Sequence, residues 1–223
     1  MFDRVAPRYD LLNRLLSLGV DRGWRKRAIA AARPFGRAHV VDLGTGSGDL
    51  TIALLRAFPD VALVLGIDLS PRMLTLLGER THSAGFASRT GCALGSATAL
   101  PLRDGSVDLV MMGFTLRNVG DVPLALGEIR RVLRPGGRAV VLELSLPPRG
   151  IVRAVYRAYF HRVAPRIAAL LGGDTDAYRY LPASVERFPS PERLAALFRG
   201  AGFGVVRFER LTFGVATLHV AEV

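Results

Sequence analysis

The amino-acid sequence predicts an α/β fold in which a mostly parallel sheet carries helices on both faces and ends in an antiparallel hairpin. Short, β-rich apolar segments alternate with helical patterns between residues 38 and 148. Two further β-rich segments, with no helix between them, end the chain. Of the 223 residues 50 % are hydrophobic, which suffices for a buried core, so we expect one domain over residues 1–223.

The first two strands and helices are indicated by local patterns. The segment "AHVVDL" predicts a buried strand, and residues 49–58 place apolar side chains at helical spacing. "VALVLGID" predicts the second strand. The next helix is expected to begin at "SPRML", because Ser70 is a favourable N-cap residue and Pro71 takes the first helical position, where a missing N–H costs nothing.

The remaining strands continue this alternation. "GCALGSA" predicts a third strand and "VDLVMMGF" a fourth, and residues 123–133 have a helical pattern. The glycines of "RPGGR" are expected to end that helix before a fifth strand in "AVVLEL". After residue 150 the pattern is helix, loop and helix, and "GFGVVRFERL" and "FGVATLHVAEV" then predict an antiparallel hairpin.

The stretch "VVDLGTGSGDL" joins the first strand to the first helix through a glycine-rich loop, at the sheet edge where α/β proteins bind ligands. The dinucleotide fingerprint G-x-G-x-x-G would need a glycine at Asp49. Asp42 suits a cation and the helix start suits a carboxylate, while Gly44 and Gly46 let a ligand lie against the backbone. These features favour S-adenosylmethionine, which has no phosphate. Tight packing of the loop alone is the alternative.

Acidic and polar residues after the next strands extend this site. Asp68 ends the second strand about 20 residues after the glycines, where a carboxylate can accept hydrogen bonds from both hydroxyl groups of a ribose. The alternative for Asp68 is a solvated turn residue. Ser96 and Ala97 follow the third strand and are expected beside the adenine.

Several segments together resemble the ubiquinone/menaquinone biosynthesis C-methyltransferases. They are "FDRVAPRYDLLNRLLSLGVDRGWR", "DLGTGSGDLT", "FTLRNVGD", "RVLRPGGR" and "DAYRYLPASVERFPS", and the resemblance runs nearly end to end. It implies a Rossmann-like class I methyltransferase with a seven-stranded sheet, which methylates a ring carbon of a polyprenylated quinol. It also implies donor contacts from Ser47, Asp68, Ser96, Ala97 and Gly113. Glycine at 113 lacks the hydroxyl that is frequent in the family.

Carbon methylation requires that a ring hydroxyl lose its proton, because the phenolate makes the neighbouring carbon nucleophilic. Arg117 and Asn118 follow the fourth strand, so we expect them to face the donor's methyl group, with Arg117 stabilising the oxyanion. A water held by Arg117, Asn118 and Tyr9, or the carboxylate of Asp10, is the candidate base. The alternatives are a surface salt bridge for Arg117 and plain packing for Tyr9. Nothing in the sequence supports a metal site.

Other function classes are less well supported. The formal charge of +11 favours anionic partners, which makes an RNA methyltransferase worth weighing, but Cys92 lies away from the fourth strand and no Asn-Pro-Pro-aromatic segment follows that strand. We therefore expect no nucleic acid partner. A non-catalytic nucleotide-binding or NAD-binding module is disfavoured by the glycine spacing. A single cysteine and the absence of a long apolar run indicate a cytoplasmic protein.

The basic residues concentrate in the flanks of the chain. Residues 1–37 and about 149–200 are expected to form a helical cover on the substrate side. In "IVRAVYRAYFHRVAPRIAALL" a basic amphipathic pattern predicts a helix that meets an anionic membrane surface with its aromatic residues, and packing of its apolar side on the sheet is the alternative. The arginines of that pattern are Arg153, Arg157, Arg162 and Arg166. Whether the chain forms a homodimer stays open.

Overall fold

A computed structural model describes residues 19–34, 36–159 and 175–223. Seven strands form one sheet, and helices pack against both of its faces. The strands are β1 His39–Leu43, β2 Leu63–Asp68, β3 Thr90–Leu94, β4 Val107–Gly113, β5 Leu133–Leu144, β6 Val205–Leu211 and β7 Ala216–Glu222. The helices are α1 Asp21–Ala32, α2 Asp49–Ala57, α3 Pro71–Ser83, α4 Val122–Val132, α5 Ile151–Ala158, α6 Thr175–Arg187 and α7 Pro191–Gly200. Short 3₁₀ turns span Ala87–Arg89, Leu116–Asn118 and Thr212–Gly214.

The strand order is β3-β2-β1-β4-β5-β7-β6. Strands β1 to β5 pair in parallel, and β7 pairs antiparallel with both β5 and β6. The expected α/β class and the terminal antiparallel hairpin are therefore confirmed. The strand order reverses between β1 and β4, and in such sheets a crevice opens at the carboxyl ends of the strands on either side of that point.

Two apolar layers cover the two faces of the sheet. Side chains alternate between the faces of a strand, so neighbouring residues such as Val40 and Val41 of β1 join different layers. Helices α4 and α7 pack on one face, with Ile129 and Phe198 fully buried. Helices α1 and α2 pack on the other, where Trp24 is buried.

The N-terminus of α3 agrees with the sequence prediction: Ser70 Oγ accepts a hydrogen bond from the N–H of Met73 at 3.2 Å, and Pro71 is the first helical residue. The boundary between α4 and β5 differs from it. The strand begins at Leu133, directly after the helix, so the "RPGG" segment lies inside β5. A register shift between Val107 and Leu109 of β4 accommodates it, and Gly136 takes a φ of +75°.

Two helices within the expected cover of residues 1–37 and 149–200 also pack on the sheet. Helix α1 contributes Trp24, Ala28 and Ile29 to the core on one face of the sheet, and α7 contributes Leu194 and Phe198 on the other. These helices belong to the sheet layers because their apolar sides bury against it. The cover of the substrate side by residues 1–37 and about 149–200 stays a prediction.

Candidate active site

The loop after β1 keeps its backbone close to neighbouring elements. Gly44 has a φ of +68°, and a Cβ atom there would lie 2.1 Å from the side chain of Thr115. Gly46 has a φ of +53°, and a Cβ atom there would have no neighbour within 4 Å, so its backbone borders open space. The N–H of Gly44 donates to the carbonyl oxygen of Ile67 at 2.7 Å, which ties the loop to β2. The loop therefore combines tight packing with an open side that a ligand can approach.

That open side belongs to a cavity of about 570 Å³, a size that suits a small organic ligand. The cavity lies at the carboxyl ends of the strands around the switch between β1 and β4. It brings together nearly all of the site residues expected from the sequence: Asp42, Gly44, Gly46, Ser47, Asp68, Ser96, Ala97, Gly113 and Asn118. Arg117 is not among the lining residues, and Tyr9 lies outside the described residues.

Asp42 is a buried carboxylate with one hydrogen-bonded oxygen and one oxygen that has no partner among the described residues. Its Oδ2 accepts hydrogen bonds from Thr51 Oγ1 at 2.7 Å, Thr45 Oγ1 at 3.0 Å and Thr51 N at 3.1 Å. Its Oδ1 is buried and has no hydrogen-bond partner among the described residues. Burial raises the pKa of Asp42 to about 6, although the threonine hydrogen bonds oppose that rise. A cationic ligand group at Oδ1 would satisfy the open acceptor and favour the ionised form.

Asp68 fastens the glycine loop and also faces the cavity. Its Oδ2 accepts from the N–H of Gly46 at 2.9 Å, and its Oδ1 accepts from the N–H of Ser70 at 2.9 Å. Each oxygen of an ionised carboxylate has a second lone pair, so both can still accept from ligand hydroxyl groups. Asp68 is therefore held in one orientation before any ligand arrives.

Ser96, Ala97 and Thr98 form the part of the cavity wall beyond Asp68. Ser96 Oγ lies 2.8 Å from Thr98 Oγ1 and accepts from the N–H of Thr98 at 3.2 Å, and Ala97 beside it is buried. At Gly113 a Cβ atom would lie 2.6 Å from Leu50 Cδ1, so a larger residue there would require Leu50 to move. The Ser47 hydroxyl and carbonyl oxygens both accept hydrogen bonds from Arg80.

Arg117 pairs with a buried carboxylate at the end of β5. Glu143 is 1 % exposed, and its Oε1 accepts from Arg117 Nη1 at 2.7 Å while its Oε2 accepts from the Arg117 N–H at 3.1 Å. The same guanidinium donates to the carbonyl oxygen of Phe114. Arg117 thus makes a buried ion pair behind the cavity wall and not the surface salt bridge that was the alternative. Its expected role in catalysis stays a prediction.

Asn118 does line the cavity, and a contact from the flank of the chain holds it. Its Nδ2 donates to the carbonyl oxygen of Phe114 at 3.4 Å, and the hydroxyl of Tyr180 on α6 donates to its Oδ1 at 3.0 Å. Phe114 itself has a φ of +58°, a conformation that is uncommon for a bulky residue and is associated with functional sites. Sequence reasoning gave no role to Tyr180, although it lies in the "YRYLPASV" segment that carries the resemblance. It also gave none to Glu143, for which the sequence offered no signal.

This site is a ligand cavity at the switch point of an α/β sheet, with a carboxylate at the end of each of two adjacent strands and no phosphate-type fingerprint. The fold and the site together define a Rossmann-like methyltransferase.

Solved structures that share the fold include the following two. The chain matches the putative methyltransferase in a complex with the Haloferax volcanii Trm112 methyltransferase activator at a TM-score of 0.72 and 22 % identity, over 99 % of this chain and 96 % of that one. It matches a SAM-dependent methyltransferase from Thermotoga maritima at 0.70 and 22 % identity, over 99 % and 97 %.

The chain belongs to the ubiE/COQ5 methyltransferase family, whose model matches residues 1–222. It is 49 % identical over 222 residues to the demethylmenaquinone methyltransferase of Thermus thermophilus, covering 100 % of this chain and 99 % of the relative. It is 47 % identical to the enzyme of the same name from Deinococcus radiodurans, over 100 % and 90 %. It is 40 % identical to the ubiquinone/menaquinone biosynthesis C-methyltransferase UbiE of Geotalea uraniireducens, over 100 % and 94 %. The resemblance inferred from the sequence is thereby confirmed, and neither alternative class is favoured.

Proposed function

We propose that this methyltransferase transfers a methyl group from S-adenosylmethionine to a ring carbon of a polyprenylated quinol. The acceptor is demethylmenaquinol, the corresponding intermediate of the ubiquinol pathway, or both. Family membership and the names of the relatives support the reaction class. The observation that carries the proposal is the buried Oδ1 of Asp42, which has no partner among the described residues, at a residue that lines the same cavity as Asp68.

The cavity residues fit the parts of the donor. Asp42 would accept hydrogen bonds from its ammonium group, and Asp68 would accept them from its ribose hydroxyl groups. Ser96 and Ala97 would border the adenine, and the backbone at Gly44, Gly46, Ser47 and Gly113 would allow close approach. When bound, the donor supplies an electrophilic methyl group on a positively charged sulfur.

The acceptor side must hold a ring hydroxyl while its proton passes to a base, for which a water or the carboxylate of Asp10 is the candidate. Asn118 is the predicted catalytic residue that lines the cavity, and Tyr180 keeps its amide in one orientation. Arg117 would contribute by fixing the turn from Phe114 to Asn118, since its guanidinium bonds both the Phe114 carbonyl and Glu143. Tyr9, which lies outside the described residues, would help to hold the water that is a candidate base.

An assay with purified enzyme tests the reaction. Demethylmenaquinol and its demethoxy-benzoquinol counterpart are each incubated with the donor, and the methylated product is measured by mass spectrometry. Turnover should require a reductant that keeps the acceptor as the quinol, because only a quinol forms a phenolate. Equal turnover of quinone and quinol would contradict the phenolate mechanism, and no turnover of either quinol would contradict the proposed substrate class.

Peripheral contact with an anionic membrane surface is part of the proposal, because the acceptor carries a lipid tail. The structure changes which residues would make it. The aromatic residue Tyr156 is buried against Leu146 and Leu181, so it cannot face lipid as the sequence pattern suggested. Ile151 and Val155 of α5 are instead 85 % and 62 % exposed. Among the described residues no helix is both long and apolar enough to cross a bilayer.

The charges beside this exposed face include two arginines of the predicted basic pattern. Arg153 donates to the carbonyl oxygen of Pro147 at 2.7 Å, and Arg157 lies 3.4 Å from Glu186. Arg162 and Arg166 lie outside the described residues. Phe213, in the 3₁₀ turn between β6 and β7, is 79 % exposed. Gly214 after it packs against Pro148, which leads into α5.

Vesicle binding tests the membrane contact. The protein should co-sediment with phosphatidylglycerol vesicles at low salt and detach as salt rises, because charge attraction to anionic lipid is screened. Replacing both Ile151 and Val155 by serine should weaken binding. The matched control is Leu94→Ser, since Leu94 is also exposed but lies on β3 at the opposite edge of the sheet. Equal binding of both variants, or no binding at low salt, would contradict the contact.

A further inference from the structure

Arg25 is a cavity residue that no sequence pattern singled out. It comes from α1, which packs beside α2, and its side chain is 16 % exposed. Its guanidinium forms an ion pair with Asp21 and lies over the ring of Phe114, 5.5 Å from the ring centroid. Arg25 reaches the same cavity as Asp42. A cation is thus held in place on the cavity wall by an aromatic ring and a neighbouring carboxylate.

Arg25 makes only a long ion-pair contact with Asp49, the second carboxylate near its guanidinium. Arg80 Nη2 donates to Asp49 Oδ1 at 2.6 Å, whereas Arg25 Nη2 lies 3.7 Å from Asp49 Oδ2, beyond hydrogen-bonding distance. Asp49 thus has a close partner in Arg80, which is not among the cavity-lining residues. The guanidinium of Arg25 has several N–H groups, so it can bind an additional anion on the cavity side.

Asp42 lines the same cavity, and its Oδ1 has no hydrogen-bond partner among the described residues. Its carboxylate would bind a cationic group of the ligand. An α-amino acid group carries its ammonium and its carboxylate on one carbon atom, so a site that binds the ammonium at Asp42 also receives a carboxylate close by. That carboxylate would be repelled by Asp42 and Asp49 unless a cation met it. Arg25 is the arginine that lines this cavity among the described residues.

We propose that Arg25 and Asp42 together bind the amino-acid end of the methyl donor. The Arg25 guanidinium donates hydrogen bonds to the donor's carboxylate, and Asp42 Oδ1 accepts from its ammonium. The sequence had assigned the carboxylate to the N–H groups at the start of α2. This inference rests on the proposed use of S-adenosylmethionine, and it adds a recognition residue from a helix that precedes the glycine loop.

Three ligands separate these contacts by calorimetry on the full chain. S-adenosylmethionine has both charged groups, decarboxylated S-adenosylmethionine lacks only the carboxylate, and methylthioadenosine lacks the whole amino-acid end. Arg25→Gln should weaken S-adenosylmethionine about 10- to 150-fold, as expected for hydrogen bonds to a charged group, and leave the affinity for the decarboxylated ligand unchanged. Asp42→Asn should weaken both ammonium-bearing ligands and leave methylthioadenosine unchanged.

The matched control is Arg27→Gln, which removes the same charge from the same helix, where Arg27 pairs with Glu209 outside the cavity wall. It should change the affinities for S-adenosylmethionine and its decarboxylated form by the same factor. The ratio of the two affinities is the readout, because partial unfolding of a variant lowers both alike. If Arg25→Gln leaves that ratio unchanged, the inference is overturned. If the unaltered protein binds none of the three ligands, the proposed donor itself fails.

Discussion

Asp42→Asn should make the ligand-free protein more stable at neutral pH while it weakens donor binding. The substitution keeps an oxygen that can accept the hydrogen bonds of Thr45 and Thr51, and it removes the charge from a fully buried site. The amide nitrogen then takes the position of the open Oδ1. The destabilising burial of charge is relieved, but the partner for a cationic ligand group is lost.

The magnitude follows from the pKa of Asp42. Burial raises it to about 6, against about 3.9 for an unperturbed aspartate, and a difference of about two pH units corresponds to about 3 kcal/mol of unfolding free energy. Because the pKa is higher in the native state than in the unfolded state, the native state binds more protons between about pH 4 and pH 6. The stability of the unaltered protein from this group therefore rises as pH falls through that window. The advantage of the asparagine variant should be full above about pH 6 and absent near pH 4.

Thermal and urea unfolding at pH 7.5 and pH 4.5 measure this difference. For a chain of this length about 3 kcal/mol corresponds to an increase in Tm of about 6 to 12 °C, which is an upper limit. The control is Asp60→Asn on the exposed surface, which should change stability by about 0.5 kcal/mol or less. A variant that is less stable than the unaltered protein at pH 7.5, or whose gain is the same at both pH values, would refute the reasoning.

Three further substitutions probe the rest of the site. Asp68→Ala should weaken S-adenosylmethionine and methylthioadenosine alike by about 1.5 to 3 kcal/mol, because both ligands have the ribose; calorimetry that showed unchanged affinity would remove the ribose assignment. Arg117→Lys should leave donor affinity unchanged and lower turnover. A lysine ammonium cannot reproduce the planar guanidinium that bonds both Glu143 and the Phe114 carbonyl. Normal steady-state turnover of this variant would show that the ion pair is dispensable. Tyr180→Phe should lower kcat by about 10-fold or less with donor affinity unchanged, since Asn118 Oδ1 loses its donor; unchanged kcat would show that this hydrogen bond does not position Asn118.

The order of the elements and much of the donor cavity could be predicted from the amino-acid sequence alone. Periodicity identified the strands and helices, and Ser70 and Pro71 marked the start of α3 because capping depends on neighbouring residues alone. Asp42 and Asp68 could be placed together because parallel strands bring their carboxyl ends to the same edge of a sheet. The family-specific segments supplied the reaction class.

The partners of the charged side chains could be identified only once the folded structure was known. Arg117 and Glu143 are 26 residues apart, and Tyr180 and Asn118 are 62 apart, so no local pattern records either contact. The pairing of β4 with β5 brings Glu143 to the turn that holds Arg117, and the two side chains form a buried ion pair there. Likewise, Arg25 enters the cavity because α1 packs beside α2. Local sequence encodes backbone conformation through steric and capping preferences, whereas the choice of a charged partner depends on which side chains are buried together once the distant elements have packed.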